Sequence, residues 1–227
     1  MGFISVFRDA VRTVTGNWWT IIGLAPPLLL PAAIYFYLPI PTFEDGLHFI
    51  NYGPEIGSVL DMMLPILLAS PLQAALLHST FQANTGQVPP FLQSLAQGLT
   101  HGLPIFTINL LILTATAVGS AFLILPGIFV LVCLSLAPAV YIAEREDVIG
   151  SLQRSWALSR GHRWKLLRLI AIFFLVGKAA DRADEIAGLI ILTARLIAEP
   201  IFFGNAYLQI RSQAEDKWVE KAGPEKD

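Results

Sequence analysis

The sequence predicts an all-α integral membrane protein: a six-helix bundle with amphipathic helices lying in the plane of its cytoplasmic face. Three observations carry that reading. Of the 227 residues, 55% are apolar and only 14% are charged, whereas soluble domains carry about 25% charged residues. Apolar runs recur at the length a bilayer core requires, roughly 17 to 25 residues at ~1.5 Å rise per residue. A basic, Trp-containing segment, SLQRSWALSRGHRWKLLRLI from Ser151 to Ile170, leads directly into one of those runs. The net charge of −2 decides nothing, because placement of charge, not its sum, orients a membrane protein. The single cysteine, Cys133, lies in an apolar run, which excludes an intrachain disulfide.

The elements follow in order. FISVFRDAVRTVTGNW places Phe3, Phe7, Val11 and Val14 at three- and four-residue spacing ahead of Trp18 and Trp19. That pattern predicts a short helix on the membrane surface before an uncleaved span, not a cleavable signal peptide. Six spans are expected: Trp18 to Leu38, Ile56 to Phe81, Leu103 to Leu125, Ile128 to Ala143, about Trp164 to Ala180, and about Ile186 to Ile210. The third and fourth touch at Pro126-Gly127, a pair that breaks helices; it reads as a hairpin turn, with one long broken helix as the alternative. Asp181, Arg182, Asp184 and Glu185 mark a charged turn before the last span. The transmembrane domain is expected over 1–210, followed by a frayed polar cytoplasmic tail from Arg211 to Asp227.

Arg and Lys accumulate on the cytoplasmic side of short loops. Arg8 and Arg12, the Arg145 to Arg168 stretch, and Arg211, Lys217, Lys221 and Lys226 fall on one side of a six-span bundle. Pro39 to Glu55, with three acidic residues and no Lys or Arg, falls on the other. Both termini are therefore expected in the cytoplasm. Lys178 and Arg182, on the outer side, are offset by nearby carboxylates at helix-compatible spacing. An internal repeat is also visible. RDAVRTVTGNWWTIIG, LQSLAQGLTHGLPIFT and QRSWALSRGHRWKLLR each set an amphipathic segment and a glycine before a span, giving three helix-plus-hairpin units that start near Gly2, Pro90 and Asp147. The similarity is weak at residue level, so convergent patterning explains it as well as duplication does.

Polar residues inside spans are the leads to function, since a charge at the bilayer centre costs at least about 2.5 kcal/mol. Arg195 and Glu199 share a helix face, and counting from Ile186 puts Arg195 roughly 14 Å deep. Asp61 is a second candidate partner for Arg195. Together Asp61, Arg195 and Glu199 read either as an intramembrane polar site or as an ion pair that fixes bundle register. Asn109 is expected to hydrogen-bond another helix, and Gln73 and His78 to make helix contacts. The segment from Ser151 to Lys165 is expected to be helical and to lie in the interface. There Arg154, Arg160, Arg163, Lys165 and Arg168 would attract anionic headgroups or simply satisfy the positive-inside bias. The four histidines, at 48, 78, 101 and 162, show no metal-ligand spacing, and no Walker A, dinucleotide or GxSxG motif occurs. No catalytic residue, metal, cofactor or nucleic-acid partner is therefore expected.

The stretch LPGIFVLVCLSLAPAVYIAEREDVIGSLQRSWALSRGHRWKLLRL, from Leu125 to Leu169, resembles bacterial membrane proteins grouped with the membrane domain of glycerophosphoryl diester phosphodiesterases and with YciC-like inner-membrane proteins. Ser151-Leu152, Ser155-Trp156, Leu158, Gly161, Arg163 and Trp164 match the pattern A-L-x-x-S-W-x-L-x-x-G and its basic continuation. The N-terminal half resembles the group only in layout. The resemblance implies a multi-span protein of the bacterial inner membrane; the fused hydrolase barrel of some members has no counterpart in this sequence. Three functions are compatible with these readings: a non-enzymatic protein that engages anionic lipid and organises or regulates membrane components, a small transporter or channel using the polar site, and an anchor for a soluble partner on the cytoplasmic face.

Overall fold

A helix that is apolar on every side gains nothing from facing water, and most helices of this chain are of that kind. The computed structural model describes residues 3–16, 18–37, 56–87 and 90–222. Among them the regular elements are all helical: α1 (Phe3–Gly16), α2 (Trp18–Tyr37), α3 (Ile56–Asn84), α4 (Phe91–Phe122), α5 (Ile124–Leu134), α6 (Ala137–Glu144), α7 (Val148–Ser159), α8 (Arg163–Ala180) and α9 (Glu185–Ala222). Four described stretches are long and apolar enough to cross a membrane: Met63–Asn84, Phe91–Ala121, Ile124–Glu144 and Ile186–Glu215. Leu99, Leu103, Phe174 and Ile190 are exposed on the outside of the bundle, the reverse of a water-soluble surface. The acidic segment at 39–55, Lys226 and the side chain of Asp61 lie outside the described residues.

The last helix is the hub. Phe203, Ala206, Tyr207 and Ile210 of α9 share one core with Leu166, Leu169 and Phe173 of α8, Ala139 and Val140 of α6, Leu77 of α3 and Val6 of α1. The α2 helix joins through Ile21 and Leu24. Against α3, α4 packs by Gly98 and Gly102, one turn apart. A Cβ on Gly98 would overlap the Pro71 carbonyl, and one on Gly102 the Pro71 ring, so the two backbones meet as small residues allow in membrane helices.

Several boundaries differ from the expected ones. The turn between the third and fourth runs falls at Leu123, whose φ of −164° and ψ of 145° are extended, not at Pro126-Gly127. Proline is tolerated in a first helical turn, where its missing N–H would have no partner, and Pro126 sits there in α5. Gly127 instead abuts Ser120 and Gly119 across the hairpin, where a Cβ would collide with Ser120. The fourth run is bent between α5 and α6. Pro138, in the first turn of α6, cannot donate to the chain before it.

The segment expected to be helical from Ser151 to Lys165 is interrupted. Gly161 takes φ of +85°, a left-handed conformation that glycine adopts without steric cost, and so separates α7 from α8. In the second proposed repeat, α4 runs unbroken through Gly102 and Pro104, with no separate surface helix. Nor is Arg211 a boundary: α9 continues to Ala222, supported by an Arg211 Nε to Glu215 Oε1 hydrogen bond of 2.8 Å one turn on. The charged turn before α9 is present at residues 181–184, and there Lys178 pairs with Asp181 at 3.1 Å.

Candidate functional site

Four polar side chains from three of the apolar helices converge midway along the bundle. Gln73 lies in the middle of the Met63–Asn84 stretch, and Asn109 and Arg195 lie well inside theirs. Asn109 of α4 donates to Gln73 Oε1 at 2.8 Å and approaches Ser70 Oγ at 3.5 Å, the interhelical bond expected of it. Across from them, Arg195 Nε of α9 lies 3.6 Å from Glu199 Oε2. That is an ion pair but too long for a hydrogen bond, and Arg195 Nε is buried with no hydrogen-bond partner. Pro200 follows at once, and its ring withholds an N–H from the carbonyl one turn earlier.

Room for the guanidinium comes from α8. A Cβ at Gly177 would overlap Arg195 Nη1, so a side chain here would displace the charge. Between these groups is a cavity of about 280 Å³, lined by Gln73, Asn109, Arg195 and Glu199 and by apolar residues such as Leu131 and Phe173. A second hollow, about 480 Å³, shares all four polar residues and reaches Thr116, whose buried Oγ1 also has no partner. Phe174 lines the first cavity and is 60% exposed, so the cleft opens onto the apolar outside of the bundle. Of the predicted polar site, the structure thus joins Arg195 to Glu199. The side chain of Asp61 is outside the described residues. Gln73 is the member that sequence reasoning undervalued; its spacing from any charge gave no signal.

The five basic residues do not act as one patch. Arg154 is tied to Glu144 at 3.0 Å, and Tyr207 OH donates to the other oxygen of that carboxylate at 2.8 Å. Arg163 stacks over Phe129, 4.5 Å from its centroid, and Phe129 meets Trp156 edge-on. Arg168 Nε reaches the Trp164 carbonyl at 3.4 Å but stays exposed. Arg160 is exposed and Lys165 half-buried. Of Leu152, Trp156, Leu158 and Trp164 in this segment, only Leu158 is buried, and Trp164 is 79% exposed. The face of α7 that packs inward is a row of serines one turn apart, Ser151, Ser155 and Ser159, all fully buried. Ser155 donates to the Cys133 carbonyl at 2.9 Å. The four-residue spacing of small residues was the signal for it.

Around Gln209 of α9, α1 and the α7–α8 junction meet. Ser5 donates to Gln209 Oε1 at 2.9 Å, Gln209 donates to Asp9, and Asn205 bonds both Thr13 and Asn84. One turn beyond, His162 pairs with Gln213 at 3.1 Å. The α1 helix therefore docks by Val6, Ala10 and Thr13 and leaves Ile4, Phe7, Val11 and Val14 exposed, with Arg8 and Arg12 exposed beside them.

Fold and site define a helical protein with stretches long and apolar enough to span a membrane and a polar cleft between them. The chain belongs to the family described as Domain of unknown function (DUF7847), whose model matches residues 91–206, just over half of its length. That interval holds Asn109, Arg195 and Glu199 and the whole of α7 and α8. No curated protein and no solved structure matches the chain.

Proposed function

We propose that this chain is a non-enzymatic, six-span protein of the bacterial inner membrane, with both termini cytoplasmic, that engages anionic lipid and thereby organises or regulates neighbouring membrane components. The carrying observation is the gathering of α1 and the α7–α8 junction on one short stretch of α9, at Gln209 and Gln213. There α1 presents an exposed apolar row beside Arg8 and Arg12, the arrangement of a helix resting at headgroup depth. On this reading α2 and α8 complete the six spans. Phe174 and Leu175, 60% and 65% exposed, then face acyl chains. The resemblance to the YciC-like group supports the same membrane.

Arg154 and Arg163 are held by protein partners, so headgroup attraction falls to Arg160, Lys165 and Arg168. Each charge near an anionic surface contributes about 1 kcal/mol. Replacing these three by Gln should strip phosphatidylglycerol from the purified protein in native mass spectrometry, with zwitterionic lipid unaffected. An unchanged lipid profile would overturn the reading. A second reading, a small transporter, is favoured by one observation, the cleft around Arg195.

A further inference from the structure

The mouth of the cleft beside Phe174 faces the apolar exterior of the bundle. Whatever enters must come from the membrane itself. The geometry points to a binding site for the head of an uncharged amphiphile that carries carbonyl and hydroxyl oxygens, the neutral acylglycerol class. This goes beyond the interfacial lipid reading and concerns a different part of the molecule.

Three features select that chemistry. The first is charge. Arg195 and Glu199 already cancel one another, so a ligand bearing a net charge would leave that charge unpaired among apolar helices, which is costly. An uncharged head avoids the cost. The second is the supply of donors and acceptors. Among the described residues Arg195 makes no hydrogen bond, and Gln73, whose oxygen accepts from Asn109, donates through its own amide nitrogen to nothing described. Those donors suit carbonyl oxygens, while the Glu199 carboxylate, also without a hydrogen bond, suits a hydroxyl. The third is size. The hollows of about 280 Å³ and 480 Å³ that share the four polar residues lie at the lower end of ligand pockets, roughly 300 Å³ and upward. That is room for a head, with the acyl chain left outside along Phe174.

Purified full-length protein would be exposed to monoolein, to oleate and to glycerol, and bound ligand read by native mass spectrometry. Monoolein should form a one-to-one adduct that glycerol does not displace and that oleate displaces only weakly. The Arg195→Gln/Glu199→Gln double variant, which keeps the charge balance, should lower monoolein affinity about tenfold, the effect of losing roughly 1.4 kcal/mol. Should that variant fail to fold, Gln73→Leu serves the same purpose and should also weaken the adduct. Tighter binding of oleate would mean an anion site and overturn the assignment. So would displacement by glycerol, which would mean a water-accessible polyol site, or full monoolein binding by the variants. The Arg160→Gln/Lys165→Gln/Arg168→Gln variant should bind monoolein as the natural chain does, so failure of the interfacial reading leaves this test standing.

Discussion

Glycine serves two helix interfaces of this protein in opposite ways. Between α3 and α4, Gly98 and Gly102 bring backbone onto backbone: the Pro71 carbonyl and ring occupy the space their side chains would take. Between α8 and α9, Gly177 makes way for the end of a charged side chain, Arg195, and a cleft remains beside it. Without a large hydrophobic difference between lipid and protein, membrane helices depend on close packing and on interhelical polar contacts. The first interface uses the packing; the second gives up some of it to hold a polar group. The contrast separates a part of the bundle that is built for stability from one that is built around a site.

The largest effect should come from filling the tight interface. Gly98→Val forces β-branched bulk into a backbone carbonyl that cannot move, so thermal unfolding in detergent should show a loss of about 2–3 kcal/mol. Gly177→Val meets only the movable tip of Arg195, and the same measurement should show well under half that loss. Equal destabilisation by the two would erase the distinction.

An intermediate effect is expected from the ion pair. Glu199→Gln leaves Arg195 without a counter-charge and should lower stability by about 1 kcal/mol, moderated because both side chains are partly exposed. Adding Arg195→Gln should restore most of it. A double variant less stable than the single one would show that the arginine has another partner.

The smallest effect concerns pH where the α7–α8 junction meets α9. Burial, opposed by the Gln213 hydrogen bond, holds His162 below its ordinary pKa of 6.5. The unfolded chain then takes up a proton first, so this contribution to stability is complete above pH 6.5 and declines as the pH falls below it. His162→Gln should flatten the dependence of melting temperature between about pH 7 and pH 5. An identical slope in the variant would assign that dependence elsewhere.

Composition and run length determined by themselves that this chain is helical and carries stretches able to span a membrane, because within a single segment only a helix satisfies every backbone group inside a bilayer. The same logic singled out Arg195 with Glu199 and gave Asn109 a partner on another helix, since an unpaired polar group in an apolar run is expensive wherever it points. Sequence located the charged turn at residues 181–184 but not the hairpin turn. Pro126-Gly127 reads as a break, yet proline is harmless in a first turn and the chain reverses at Leu123, a residue with no turn preference of its own. It also read Ser151 to Lys165 by its charges, although which of them are free depends on Glu144, Phe129 and Trp156, contributed by neighbouring elements and, for two of them, by other helices. Only the tertiary structure decided that Gln73 faces Arg195 across a cavity and that Gly177 leaves room for the guanidinium. The first relation joins residues more than a hundred positions apart and the second joins two consecutive helices, and periodicity within one helix says nothing about which face its neighbour will meet.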